Sequence, residues 1–282
     1  MTGPSQPTLA VTGSTGRLGG RVARRLTSAG IAQRLVVRDP SRAPSLPGCT
    51  VAVAAYDDAD AVRAALTGAT TVFMVSGAEH PDRVGQHRCF IDAARAAGVG
   101  HLVYTSFYGA APDATFTLVR DHWATEEHIK ASGLAYTILR DNLYADFLPL
   151  MADDNGVIRG PAGDGRVSAV ATDDVADVAA AVLRDPAAHA GATYSLTGPE
   201  AFTLTEAAET ITRVTGRRVT YQPETVEEAY ASRAHYGAPQ FQVDAWVSTY
   251  TAIAAGELEA VTDDVPRLTG HPATSLAELV GR

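Results

Sequence analysis

Three glycines recur at three-residue intervals in Gly13-Ser14-Thr15-Gly16-Arg17-Leu18-Gly19. They follow an apolar run and open a stretch of helical periodicity, the context in which a glycine loop cradles phosphate. Each has its own physical task. Gly13 permits a tight turn, Gly16 lets backbone N–H groups approach a pyrophosphate, and Gly19 lets the helix pack closely on the strand. The free N–H groups and positive dipole end of the helix add attraction for an anion. A glycine turn that holds no ligand is the competing reading, and the flanking strand and helix weigh against it. Residues 13–19 are therefore expected to bind a nicotinamide dinucleotide.

The residue ending the next strand separates NAD from NADP. An NAD site places a carboxylate there to bond the ribose 2'-hydroxyl, whereas this chain has Arg38. A guanidinium pairs with a 2'-phosphate through charge-assisted bonds, with Arg42 and Arg17 as candidate helpers. NADP(H) is thus favoured over NAD(H), while Asp39 beside Arg38 keeps the alternative open.

Ordinary short-chain dehydrogenases carry a lysine four residues after a tyrosine, so that the cation lowers the phenol pKa. Lys130 is the only lysine in this chain, and Glu126 stands four residues before it. That pair is absent, and Lys130 reads as a solvated helix-end cation. No GxSxG elbow and no zinc-ligand spacing is found either. The cofactor must supply most of the chemistry.

The elements that position these residues alternate. Strands are predicted at Thr8–Thr12, Arg34–Arg38, Thr50–Ala54, Thr71–Val75, His101–Thr105 and Ala135–Leu139, with helical periodicity between them, including Asp82–Ala97. Such βα units imply an α/β fold, a doubly wound parallel Rossmann sheet. The predicted division is a dinucleotide-binding core over 1–140 and a smaller C-terminal α/β lobe over 141–282, with some segments of the latter returning to the core. In that lobe the glycine-rich stretch 156–166 reads as irregular, 173–183 and 205–215 as helices, and 218–221 as a strand. The polar segment 231–240 reads as a lid or a loop.

Composition bounds the function further. A formal charge of -9 and the lack of a basic stripe speak against nucleic acid as a partner. The best apolar run is broken by Asp174 and Asp177, so no membrane span is expected. No basic residue precedes Arg17, and Cys49 and Cys89 form no metal or disulfide pattern. The expectation is a reduced, cytoplasmic protein without a secretory leader.

The chain also resembles a known family. Val37-Arg38-Asp39-Pro40, Gln86-His87-Arg88, Ala96-Ala97-Gly98-Val99, Tyr104-Thr105-Ser106, Ser132–Arg140 and Gly270–Glu278, with the glycine loop, are similar to the NmrA-like group of atypical short-chain dehydrogenases. Within it, they are similar to the bacterial NAD(P)H:quinone oxidoreductases of the second type. The resemblance implies that NADPH and a quinone meet in a cleft between two lobes. It places Ser76, Gly77, Thr105 and Ser106 along the cofactor. It departs at Ala55, where the family has an aspartate facing adenine, and Asp57 is the candidate substitute.

His122 stands where the related reductases carry histidine, as a proton donor or as a satisfied structural residue. Asn142 and Tyr144, after the sixth strand, are candidates to fix a carbonyl oxygen. The expected activity is hydride transfer from NADPH to a quinone or similar planar acceptor, with a homodimer left open. Two rivals stand: a non-catalytic NADP(H)-sensing regulator, and a specialised reductase or oxygenase in aromatic natural-product biosynthesis.

Overall fold

The computed structural model describes residues 7–282. They divide into two compact units: residues up to 106 with 122–139 and 175–194, and residues 107–121, 140–174 and 195–282. The first unit is built on the predicted βα alternation. Strands β1 (Leu9–Thr12) and β2 (Gln33–Val37) are buried at every position, as strands covered on both faces must be. Between them α1 (Arg17–Ser28) buries Leu18, Val22 and Leu26 at helical spacing. Strand β3 (Thr50–Val53) leads into α2 (Ala59–Leu66), whose first turn is capped by the Asp58 carboxylate accepting from the Ala61 N–H.

The alternation continues through β4 (Thr71–Met74), α3 (Arg83–Ala96), β5 (His101–Phe107), α4 (Thr117–Ser132) and β6 (Ala135–Asp141). After β7 (Val157–Gly160) and β8 (Arg166–Val167), α5 (Thr172–Arg184) precedes β9 (Thr193–Leu196). The main sheet has the order β3-β2-β1-β4-β5-β6-β9, and the pairs from β3 through to β5 are parallel. Strand order reverses between β1 and β4, the switch point beyond whose carboxyl ends such sheets bind ligands. Beneath it lies a core that includes Val36, Val72, Met74, Phe90, Leu102, Tyr104 and Ile129.

The second unit has its own core, including Leu148, Ile158, Val167, Leu204, Ile211, Tyr250 and Ile253. Its elements after β9 are β10 (Phe202–Thr203), α6 (Leu204–Thr215), β11 (Thr220–Pro223), α7 (Val226–Arg233), α8 (Gln240–Ala254), α9 (Asp264–Thr269) and α10 (Leu276–Val280). Two expectations change here. The glycine-rich stretch contains β7, which pairs in parallel with β11. Residues 231–240 are mostly helical, because the reciprocal capping of Thr225 and Glu228 starts α7, whose end runs into a short turn over 234–236. Among the described residues no helix is long and apolar enough to cross a membrane.

The β1–α1 loop depends on two glycines. Gly13 adopts φ 64°, and a Cβ there would press on Val75. A Cβ on Gly19 would lie 2.4 Å from the Gly13 carbonyl oxygen, closer than any real Cβ contact. Gly16 is less constrained, with the same carbonyl at 3.2 Å. Gly19→Ala should therefore cost about 1 to 3 kcal/mol, the scale of overpacking, and Gly16→Ala distinctly less. Urea denaturation of the two variants beside the parent checks this order, and equal costs would contradict it.

Candidate cofactor site

A cleft of about 380 Å³ opens at the switch point, lined from the ends of β1 to β4 and the start of α3. Six of the predicted residues line it: Gly13, Thr15, Arg38, Asp57, Ser76 and Gly77. Arg38 is exposed immediately after β2. Asp39, its rival, is engaged elsewhere. Its carboxylate accepts the Ser41 N–H at 2.9 Å and the Ser41 hydroxyl at 2.6 Å, capping the turn Pro40–Arg42. These bonds hold the Asp39 carboxyl below its ordinary range. Arg42 and Arg17 are exposed and lie outside the cleft lining.

The helix behind the loop is prepared for an anion. No side chain caps α1 at Gly16, and no acidic residue occupies its first turn, so no carboxylate opposes an anion at the positive end of its dipole. The Ser14 hydroxyl is buried in the loop without a hydrogen-bond partner. A buried orphan of this kind is costly unless a ligand or water satisfies it. These features fit a dinucleotide pyrophosphate. Leu18 and Gly19 are buried and serve the packing of α1.

The remaining predicted residues of β5 act one layer below. Thr105 Oγ1 accepts the Ser76 N–H at 2.9 Å, and the fully buried Ser106 donates to Glu126 at 2.6 Å. Glu126 in turn lies 3.7 Å from Lys130, which also pairs with Glu127.

Sequence reasoning missed Tyr56 and His87 as parts of this site. The Tyr56 phenol donates to the Val75 carbonyl at 2.6 Å, so at its 2.6 Å contact with Thr12 the threonine must be the donor. The Val75 N–H donates to the same Thr12 hydroxyl, which closes the ring. Burial pushes the Tyr56 phenol up, so it stays protonated. Its place between Ala55 and Asp57, two positions already weighed in the sequence, was the available signal.

His87 and His122 are both buried. His122 Nε2 accepts from Arg83 at 2.6 Å, which leaves the proton on Nδ1, 3.0 Å from the Tyr104 hydroxyl. Burial, then the Arg83 guanidinium, hold its pKa well below 6.5. The ring is neutral at neutral pH, with both nitrogens engaged. Burial and then Arg83 likewise lower His87 to about 3.

In the second unit, the Asn142 amide is fully committed. It donates to Ser168 at 2.9 Å and to the Leu258 carbonyl at 3.0 Å, and accepts the Leu143 N–H. The half-buried Tyr144 donates its phenol proton to Asp141. Burial and the Asp141 charge raise its pKa well above the ordinary value. Its ring lies 6.0 Å from that of Phe147.

Sheet order, glycine loop and cleft define a Rossmann-type dinucleotide-binding protein. A family model described as NAD(P)H-binding matches residues 13–186. Quinone oxidoreductase 2 of Escherichia coli is 36% identical over 96% of this chain and 97% of its own length. An NAD(P)H azoreductase of Xenophilus azovorans is 33% identical over 95% of both chains. The E. coli NADPH-dependent quinone oxidoreductase, solved with NADPH, superposes with a TM-score of 0.88, covering 96% of this chain and 98% of that one at 35% identity. The chain belongs to the NAD(P)H-binding family whose model spans residues 13–186.

The two buried histidines give folding a pH dependence of known sign. Unfolded, each binds its proton near 6.5, whereas folded His87 resists until about 3. Their stabilisation is complete above 6.5 and is lost as pH falls through that window, at about 1.4 kcal/mol per pH unit for each ring. Urea midpoints measured from pH 7 down to 4.5 should fall, and His87→Gln should fall less steeply by one proton's worth. An unchanged slope in that variant would refute the assignment.

Proposed function

We propose that this chain is an NADPH-dependent oxidoreductase whose acceptor is a quinone or a similarly planar molecule. The observation that carries the cofactor choice is the contrast at the end of β2: Arg38 lines the cleft, while the Asp39 carboxylate is spent on Ser41. A guanidinium there meets a 2'-phosphate with paired, charge-assisted bonds and gives a plain 2'-hydroxyl little. The acceptor class rests on the relatives, a quinone oxidoreductase and an azoreductase.

When bound, NADPH supplies the hydride. The chain's own residues bind and orient. Residues 13–19 hold the pyrophosphate, Arg38 the 2'-phosphate, and Asp57 stands at the adenine side. The hydroquinone anion left by hydride transfer is far less basic than an alkoxide, so no tyrosine–lysine pair is required. Neutral His122 acts on Tyr104 and Arg83 as a positioning residue. Tyr144, held protonated, offers an aromatic face together with Phe147, and Asn142 fixes the backbone between them and β6. The free cysteines, Cys49 and Cys89, suit a reducing cytoplasm.

NADPH oxidation, followed by its near-ultraviolet absorbance against a panel of quinones, tests the activity. Tight NADPH binding with no oxidation by any acceptor would replace this reading with that of a dinucleotide sensor. Arg38→Ala should weaken NADPH binding by about 1.5 to 3 kcal/mol and NADH binding much less. Calorimetry with both cofactors reads the difference, and equal losses would sink the role of Arg38.

A further inference from the structure

The loop after β4 forms part of the cleft wall through Ser76, Gly77 and Ala78. Its two consecutive N–H groups are both tied to side chains of the unit. Ser76 donates to Thr105, and Gly77 donates to His87 Nε2 at 2.8 Å. A backbone N–H can only donate, so the proton of the neutral ring sits on Nδ1, which lies 2.9 Å from Thr125 Oγ1. Thr125 is fully buried and itself bonds the Tyr104 phenol.

The imidazole is thus held at both ends, with Tyr56 and Tyr104 ring centroids 6.1 Å and 5.8 Å away in edge-on arrangements. A Cβ on Gly77 would stand 3.1 Å from Nε2. Glycine is what lets backbone and ring come this close. His87 also follows Gln86, which lines the cleft, so one turn of α3 supplies both a wall and the support of the facing loop.

We propose that His87 is a positioning residue for the dinucleotide: it fixes the Ser76–Ala78 wall of the cleft through the Gly77 N–H. It does not touch the reacting atoms. The proposal rests on the NADPH reading above. Losing the acceptor would strip the part-buried Gly77 N–H of its bond to the ring and loosen the loop, so the effect belongs on cofactor affinity, with turnover at saturating NADPH little changed.

The test begins with NADPH titration of the parent by calorimetry. A parent that binds no NADPH overturns the functional reading, and this inference with it. Given binding, His87→Phe keeps ring shape and volume without the acceptor, and should raise Kd and KM for NADPH roughly tenfold while kcat stays within about twofold. His87→Gln carries an amide oxygen to the place of Nε2 and should return affinity to within about threefold of the parent. A Phe variant that binds like the parent, or a folded Gln variant as weak as Phe, overturns the proposal and leaves the NADPH reading standing. The unaltered protein gives a reading that needs no variant to fold. Its ¹⁵N spectrum should show His87 as a neutral Nδ1–H ring whose Nε2 resonance moves on saturation with NADPH. A resonance indifferent to NADPH overturns the proposal.

Discussion

Val75 gives its N–H to Thr12, Thr12 gives its hydroxyl proton to Tyr56, and Tyr56 returns its own to the Val75 carbonyl. This closed ring ties the end of β1 to the end of β4 and to the segment after β3. Every group in it is satisfied by another, which is how polar atoms can sit at the edge of a core without penalty. The rest of the site is hung from it. Gly13 follows Thr12 directly, and a Cβ at Gly13 would meet Val75. Ser76 and Gly77 continue from Val75 into the cleft wall, and Asp57 follows Tyr56. The mouth of the cleft is a set of loops whose first residues are already immobilised.

Charge is managed in the same spirit. The histidines under the cleft are kept neutral by burial and by Arg83, so each has a fixed tautomer with one donor and one acceptor. Glu126, by contrast, is buried against Ser106 and near Lys130. An ordinary short-chain enzyme would have a tyrosine in its place, four residues before the lysine. Here the same helix turn carries a carboxylate that accepts a hydrogen bond from β5, an arrangement that holds structure together and leaves proton supply to other groups or to water.

Local patterns made much of this legible in the sequence. The six strands of the βα alternation and the loop 13–19 follow from runs of apolar residues and from glycine spacing, both of which act over a few residues. The choice between Arg38 and Asp39 was legible only as a preference for Arg38, because what engages the Asp39 carboxylate is its pair of hydrogen bonds from Ser41. Thr12–Tyr56, Gly77–His87 and Ser106–Glu126 join side chains to positions on other elements, which no pattern within a single element reveals. Helix α8 escaped for a different reason. Val243, Ala245, Val247, Tyr250, Ala252 and Ile253 are buried with no clean helical face, so no single stripe announced it. Strand β7 was hidden among glycines that read as a loop.

The interleaving of the two units has a consequence for how the chain is made and cut. The first unit is completed only by residues 175–194, which carry most of α5 and the start of β9. A fragment ending at residue 140 would keep the whole glycine loop and still lack the outer strand beyond β6. During synthesis, residues 140–174 must leave the ribosome before the strands already made can find that last neighbour. Limited proteolysis is constrained in the same way. One nick within residues 140–174 leaves the first unit's residues on two separate fragments, so the dinucleotide-binding half cannot be cut from the gene without carrying stretches of the other unit with it.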